Sequence, residues 1–402
     1  MCGAFQEFRR TKVNPFFVFS GGGTGGHLYP ALSVLDEVAR FCPEAQFKWV
    51  GAKGRLEETV IPQRGIPIEC LELQGMDRGK SGFARLQSGL CSAGILGRAA
   101  LSLACEWASC PPAGLVVSGA YIGVPAAMAA IMLRIPLFVM EQNSLPGLSN
   151  RMLAPFATRV FAGLPLRADA FSSLARVEYT GNPVRRELIE LRKLRLADGN
   201  GLKESRLQAA QALGLSDFFE KSIDSGSVNE SVTCVVMGGS LGSNLMVDLL
   251  EETLETGALR SENTRFILLS GSHGRALKNS DRLISLPFTD RMDLVYTLAD
   301  FAIVRAGATT IAEVAALGMP SMIIPWKGAA EGHQAINASL LKGTSCRIMD
   351  EEIMTSTEFS RVFNEVAQGA LNRQCIEQIA VRGRPDAARD IALQILKLTC
   401  KN

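Results

Sequence analysis

Short apolar runs alternate with stretches of helical spacing along most of the chain. Between residues 14 and 185 the runs Phe16-Phe-Val-Phe19, Phe47-Lys-Trp-Val-Gly51, Ile66–Leu73, Gly114-Leu-Val-Val-Ser118, Pro136-Leu-Phe-Val-Met140 and Arg159-Val-Phe-Ala162 read as strands, and Val177-Glu-Tyr-Thr-Gly-Asn-Pro-Val-Arg185 closes the series. Helix-spaced segments lie between them, such as Ala31–Arg40 and the Ala/Met-rich stretch after Pro125. Apolar strands interleaved with helices predict a parallel, doubly wound sheet covered on both faces. In such sheets ligands bind at the carboxyl ends of the strands.

The pattern breaks at 187–231. Arg186–Arg195 is a charged helical run, and Asp198-Gly-Asn-Gly-Leu202 and Ser222–Ser231 are linker-like. This predicts a first domain over 1–186, a linker and extension over 187–231, and a second α/β domain over 232–402. In the latter, Val232–Met237, Arg265–Ser270, Ser285–Asp290, Phe301–Val304 and Ser321–Pro325 mark strands, and Ile311–Leu317 a helix. Residues 343–402 read as helical, with the terminal helix packing back on the first domain. Each domain carries one glycine turn between a strand and a helix: Gly21-Gly-Gly-Thr-Gly-Gly26 and Gly238-Gly-Ser240.

Composition narrows the class. A chain of 402 residues with 47% hydrophobic and 20% charged residues is globular and long enough for two cores. A net charge of +2 gives no field for nucleic acid. The ten cysteines show no CxxC or Cys/His spacing and read as free thiols. The residues after Met1 have no signal-peptide core, and no apolar run is long enough to span a membrane, so a protein without a membrane span is expected.

The glycine turns are where chemistry is expected. Glycines followed by a helix N-terminus present N–H groups that attract phosphate. The first turn fits neither the dinucleotide fingerprint nor the P-loop, but it ends in His27, which is either a general base or a packed cap of the loop. Thr310-x-x-Glu313 is either a capping box or a carboxylate for vicinal hydroxyls. His333-Gln334 with Asn337, and Glu141-Gln-Asn143 at a strand's end, offer amides suited to sugar hydroxyls, or are surface polarity. Phe83, Leu86 and Leu90 beside Arg78, Lys80 and Arg85 form a stripe that is either core or a membrane-surface patch. No HExxH, Cys/His cluster or Asp-x-Asp pair suggests a metal site. The positive groups for a leaving diphosphate are then backbone N–H groups, helix ends and Arg side chains.

Taken together, Gly22-Gly-Thr-Gly-Gly-His27 with Pro30-Ala31, Glu141-Gln-Asn143 with Pro146-Gly147-Leu148, Gly181-Asn-Pro-Val-Arg185, Gly238-Gly-Ser240, Arg305-Ala-Gly-Ala-Thr-Thr-Ile-Ala-Glu313, and Pro325 with His333-Gln334 and Asn337-Ala338 resemble the MurG family of bacterial transferases. That family adds N-acetylglucosamine to lipid I in peptidoglycan synthesis. The resemblance spans roughly residues 14–340. It implies a GT-B fold, with two Rossmann-like doubly wound parallel-sheet domains facing across a cleft. It implies UDP-N-acetylglucosamine as donor, a lipid-linked muramyl-peptide acceptor, no cofactor and no metal.

By resemblance His27 is the base, and Thr24, Gly25 and Gly26 lie where donor meets acceptor. Asn143 and Gln334 contact the sugar, and Ser240, Ala308, Thr309 and Thr310 surround the diphosphate. Arg185 lies near the nucleotide, Thr289 meets uracil and Glu313 the ribose. Gly119, Tyr121 and Glu141 are placed on the acceptor side. Met140 stands where the family usually has His, and Ala120 follows Gly119 where the family has a second glycine. The implied partners are the cytoplasmic membrane surface and other cell-wall synthesis proteins, with no nucleic acid. The alternatives are a related transferase with another lipid acceptor, a non-catalytic UDP-sugar-binding protein, and a UDP-sugar epimerase.

Overall fold

The computed structural model describes residues 14–73, 83–119, 121–197, 201–220, 232–257, 264–271, 274–329 and 332–400, with backbone alone over 83–92. The stripe at Arg78–Leu90 lies outside the described side chains. The chain forms two compact units, Met1–Pro183 with Asp386–Asn402, and Val184–Pro385.

The first unit runs β1 (Phe16–Ser20), α1 (Gly25–Phe41), β2 (Gln46–Ala52), α2 (Leu56–Gln63), β3 (Ile68–Leu71), α3 (Phe83–Ser109), β4 (Gly114–Val117), α4 (Val124–Met132), β5 (Leu137–Glu141), α5 (Leu148–Leu153), β6 (Arg159–Ala162) and β7 (Val177–Tyr179). Its strands form a seven-stranded sheet in the order β3-β2-β1-β4-β5-β6-β7. Neighbours pair in parallel. The order reverses between β1 and β4, so the loops leaving these two strands bound the crevice that such sheets use for ligands.

The second unit runs α6 (Arg186–Leu196), α7 (Gly201–Ala212), α8 (Ser216–Glu220), β8 (Val232–Met237), α9 (Asn244–Glu255), β9 (Thr264–Leu269), β10 (Leu283–Leu286), α10 (Met292–Leu298), β11 (Phe301–Val304), α11 (Ala308–Leu317), β12 (Ser321–Ile323), α12 (His333–Ala338), β13 (Arg347–Ile348), α13 (Ser356–Gly369) and α14 (Arg373–Ala380). Its parallel sheet has the order β10-β9-β8-β11-β12-β13, with the reversal between β8 and β11. A final helix, α15 (Ala387–Thr399), belongs to the first unit.

Successive side chains of a strand point to opposite faces, and β1 shows what that does here. Phe17 and Phe19 enter one core with α1, Phe138, Phe161 and Ile391, Ile395 and Leu396 of α15. Val18 enters the other, with Leu103, Leu115, Val117 and Ala126–Ala127. Because both faces are buried, the strand reads as a continuous apolar run. Helix α15 is also tied to the sheet edge by Gln394 Nε2, which donates to Glu178 Oε1 at 2.6 Å.

Three expectations need correction. The segment expected as a linker supplies Leu188, Leu191, Ala209, Ala210 and Leu215 to the second unit's core, beside Tyr296 and Ile311. Its apolar positions hide among charges, and Arg195 is itself buried, donating to the carbonyls of Ala299 (2.8 Å) and Asp300 (3.1 Å). Burial lowers its pKa to about 10. The stretch expected to be helical throughout contains β13, whose two exposed residues carry no strand pattern. Helix α1 begins at Gly25, with Pro30 inside it, although glycine and proline are the poorest helix formers.

Candidate active site

In the first unit the loop after β1 is built by close approach. Gly21, Gly22 and Gly23 have φ of 151°, 150° and 78°. A Cβ on Gly21 would lie 2.0 Å from Ser118 Oγ, and one on Gly22 would lie 2.1 Å from Glu57 Oε2. Glu57 is fully buried; its Oε2 accepts from Gly23 N at 2.8 Å and its Oε1 from Ala52 N at 3.1 Å. Trp49 Nε1 donates to the Gly21 carbonyl at 3.0 Å. Sequence reasoning missed Glu57, because an acidic residue in the first turn of α2 is what any helix start favours.

The loop delivers the chain to α1, with Thr24 exposed at the N-cap and Gly25, Gly26 and His27 in the first turn. His27 Nδ1 lies 3.0 Å from Gln142 Oε1. An amide oxygen only accepts, so this contact is a hydrogen bond in the tautomer that carries its proton on Nδ1, the form that leaves Nε2 as the acceptor. Gly119, with φ of 90°, brings the loop after β4 against this ring: a Cβ there would sit 3.0 Å from both Nδ1 and Cε1. Gly119 therefore walls His27. Tyr121 opens the next turn, and its hydroxyl is buried without a hydrogen-bond partner.

Glu141, which the resemblance places on the acceptor side, holds its own loop together. It is 2% exposed. Its Oε1 accepts from Asn143 N (2.9 Å), and its Oε2 from Gly147 N (3.0 Å) and Asn150 Nδ2 (2.7 Å). A carboxylate so engaged faces inward. Asn143, two residues on, is partly exposed. Met140 packs in the core under α1, so its position faces apolar side chains.

In the second unit Gly238–Leu245, Gly274, Arg305, Gly307, Thr310, Trp326 and Gln334 line a cavity of about 490 Å³ at the β8/β11 switch point. A Cβ on Gly238 would lie 2.3 Å from Ser243 N, and one on Gly242 (φ 84°) 2.1 Å from the Ser270 carbonyl. Glycine is thus needed to fold this turn against its neighbours. Ser240, Thr310 and Gln334 share the cavity. Ala308 and Thr309 open α11 at the same point. Gln334 Oε1 accepts from Ala306 N (3.1 Å) and Trp326 N (2.9 Å), so its amide nitrogen is the part left to donate. The Arg305 guanidinium pairs with Glu351 and donates to Ser243 Oγ at 2.8 Å, which makes it a brace of the cavity wall.

Glu313 is not a capping-box residue. The N-cap of α11 is Gly307, and the Glu313 carboxylate accepts from Tyr296 Oη at 3.0 Å instead. Burial raises its pKa, opposed by the charge of Arg185 and by the tyrosine hydrogen bond. Arg185 also donates to the Asp290 carbonyl, next to Thr289, whose Oγ1 accepts from Arg291 N at 3.1 Å. Arg185, Glu313, Tyr296 and the 289–290 turn thus form a second cluster. Of the residues assigned to the donor, Thr24, Gly25, Gly26 and Asn143 lie in the first unit and the others in the second. Among the described residues no group of His, Cys, Asp or Glu could hold a metal ion, and no helix is long and apolar enough to cross a membrane.

Two Rossmann-like parallel sheets, each with a glycine turn at its switch point, define a glycosyltransferase fold of the GT-B class. Residues 17–162 match the N-terminal domain of glycosyltransferase family 28 and residues 233–390 its C-terminal domain. A UDP-N-acetylglucosamine–N-acetylmuramyl-(pentapeptide) pyrophosphoryl-undecaprenol N-acetylglucosamine transferase of Desulforudis audaxviator is 32% identical over 395 residues, covering 96% of this chain and 98% of that protein. One of the same name from Flavobacterium psychrophilum is 30% identical, covering 95% and 97%. The crystal structure of Acinetobacter baumannii MurG superposes with a TM-score of 0.66 at 21% identity, covering 95% of this chain and 99% of that one. The UDP-GlcNAc 2-epimerase of Neisseria meningitidis shares the fold, with a TM-score of 0.56 at 15% identity over 96% of this chain and 100% of that one. The chain belongs to glycosyltransferase family 28, and within it to the family of UDP-N-acetylglucosamine–N-acetylmuramyl-(pentapeptide) pyrophosphoryl-undecaprenol N-acetylglucosamine transferases.

Proposed function

We propose that this protein transfers N-acetylglucosamine from UDP-N-acetylglucosamine to the 4-hydroxyl of the lipid-linked N-acetylmuramyl-pentapeptide, with inversion at the anomeric carbon. The observation that carries the mechanism is the His27–Gln142 pair at the first switch point, because it leaves Nε2 able to take a proton. In the reaction His27 Nε2 accepts the hydroxyl proton as the oxygen attacks the anomeric carbon. The bond from that carbon to the diphosphate oxygen breaks, and UDP carries away the electron pair.

The charge that develops on the diphosphate falls to the N–H groups of Gly238–Ser240, the N-terminus of α11 with Ala308 and Thr309, and the Thr310 hydroxyl. Glu313 accepts from the ribose hydroxyls, with Arg185 close by. Thr289 meets uracil through its backbone, while Asn143 and the Gln334 amide nitrogen donate to the sugar. The acceptor lies against the loops at Gly22–Gly26 and Gly119–Tyr121. The lipid tail of the acceptor calls for a peripheral position on the cytoplasmic face of the membrane, alongside other cell-wall enzymes. This reading uses backbone dipoles where a divalent cation could serve, and needs no added cofactor.

The test is UDP release from UDP-N-acetylglucosamine, with and without a soluble lipid I analogue and with a chelator present. Acceptor-dependent release that survives the chelator supports the reading. UDP-sugar binding without release, or epimer formation without acceptor, refutes it. His27→Ala is expected to cut turnover about 10²–10⁴-fold while leaving donor affinity nearly unchanged, as calorimetry beside the kinetic assay would show.

A further inference from the structure

We infer that Gln142 is the positioning residue for His27, and that Asn182 holds Gln142 in place. The inference deepens the reading of His27 as the base and rests on it. Gln142 is the first residue beyond β5 and is 2% exposed. Its side-chain oxygen meets His27 Nδ1 at 3.0 Å. Its main-chain carbonyl accepts from Asn182 Nδ2 at 2.9 Å. Asn182 is itself buried, and it fits only because Gly163 beside it has no side chain: a Cβ there would lie 1.9 Å from Asn182 Oδ1. The two contacts join three separate sequence motifs in one relay, from Gly181-Asn182-Pro183 through the middle of Glu141-Gln-Asn143 to the histidine of the first glycine turn. Gly119 closes the far side of the ring.

The chemical consequence is a choice of tautomer. A neutral imidazole has one N–H, and a base must present the other nitrogen. With Nδ1–H committed to Gln142, Nε2 is the nitrogen that can accept a proton, and the same hydrogen bond persists once the ring is protonated. The orienting group is a neutral amide, so it fixes the ring without adding charge. The acidic groups on the elements packed around it are engaged elsewhere. Glu57 of α2 is bound to Gly23 and Ala52, and Glu141 of β5 to Asn143, Gly147 and Asn150; the Tyr121 hydroxyl is buried without a hydrogen-bond partner. Within Glu141-Gln-Asn143, then, the first residue builds the loop and the second orients the histidine.

The experiment is ¹⁵N NMR of histidine-labelled full-length protein, read beside kinetics. The chain has three histidines, and His27→Ala assigns the signal. We expect wild-type His27 protonated on Nδ1 when neutral. Gln142→Met is expected to populate the Nε2–H form and lower kcat about 10-fold or more, within the range a general base supplies, with donor KM within about twofold. Gln142→Glu is expected to keep the Nδ1–H form and move the acid limb of the pH–rate profile upward by about 1–3 units, because a carboxylate then faces the ring. Asn182→Ala is expected to act in the same direction as Gln142→Met. Wild-type His27 protonated on Nε2, or a Gln142→Met enzyme with unchanged kcat and tautomer, overturns the inference. If Gln142→Met does not fold, the wild-type spectrum and Gln142→Glu decide alone. An active His27→Ala enzyme refutes the base itself, whereas an inactive one beside a fully active Gln142→Met enzyme refutes only the relay.

Discussion

Glu313 shows how much a single side chain's surroundings decide. In sequence its spacing from Thr310 fitted a helix cap as well as a ligand contact. The fold separates the two, because α11 starts at Gly307 and the carboxylate meets Tyr296 across the core. Its protonation then bears on donor binding. In the proposed contact the ribose hydroxyls donate to the ionised form, so on that reading binding is strongest above the pKa of Glu313 and weakens as pH falls through it. Burial raises that pKa, so the loss begins above the usual glutamate value of about 4.3. Calorimetric titration of UDP across pH should show this decline. Glu313→Gln should bind UDP about tenfold or more weakly at neutral pH, since hydrogen bonds to charged groups are worth about 1.5–3 kcal/mol, and should lose the pH dependence. His27 was legible as a candidate because it ends a glycine turn. Its partner Gln142 was visible only as one of three polar residues, and Glu57 not at all, because contacts between distant residues leave no local pattern.

Among the elements, the strands were the legible part. β8 and β11 run over the predicted residues, and most others differ by a residue or two at their ends, because strands buried on both faces stand out as apolar runs. Helix starts were less legible. Gly21 and Gly22, just before α1, approach Ser118 and Glu57 too closely for any side chain, and the helix itself opens on Gly25 and Gly26, so propensity gives no sign of where it starts. The charged run at α6 was misread for the opposite reason, since its buried leucines are outnumbered by solvated residues. Leu188 and Leu191 are buried against the second unit, so Leu191→Ala should destabilise that unit by about 2–5 kcal/mol, as a cavity in a packed core does. Urea denaturation would show the shift. A change below about 0.5 kcal/mol would mean that α6 is a linker after all.

For the molecule as a whole, the doubly wound character of each half was readable, but the way the chain divides was less so. The boundary at Pro183/Val184 falls inside the Gly181–Arg185 motif, so Asn182 serves one unit and Arg185 the other. Composition does not change there; the division is set by which core each residue joins. The first unit is completed by α15, whose Ile395 is fully buried beside Phe17 and Leu32. Ile395→Ala is expected to cost about 2–5 kcal/mol and to act on the first unit alone. Hydrogen exchange should show lost amide protection in β1, β4 and α1 with the second sheet unchanged; equal loss in both units would contradict the division.

The same helix has a consequence for biosynthesis. Residues 184–385 are translated between the two pieces of the first unit. At about 5–20 residues per second that interval lasts roughly 10–40 s. Throughout it the aromatic face of the first sheet waits on the ribosome without the helix that covers it, while the unit translated later has all its parts first. The half of the protein that holds His27 is therefore begun first and finished last, and is the half whose nascent chain stands most to gain from a chaperone.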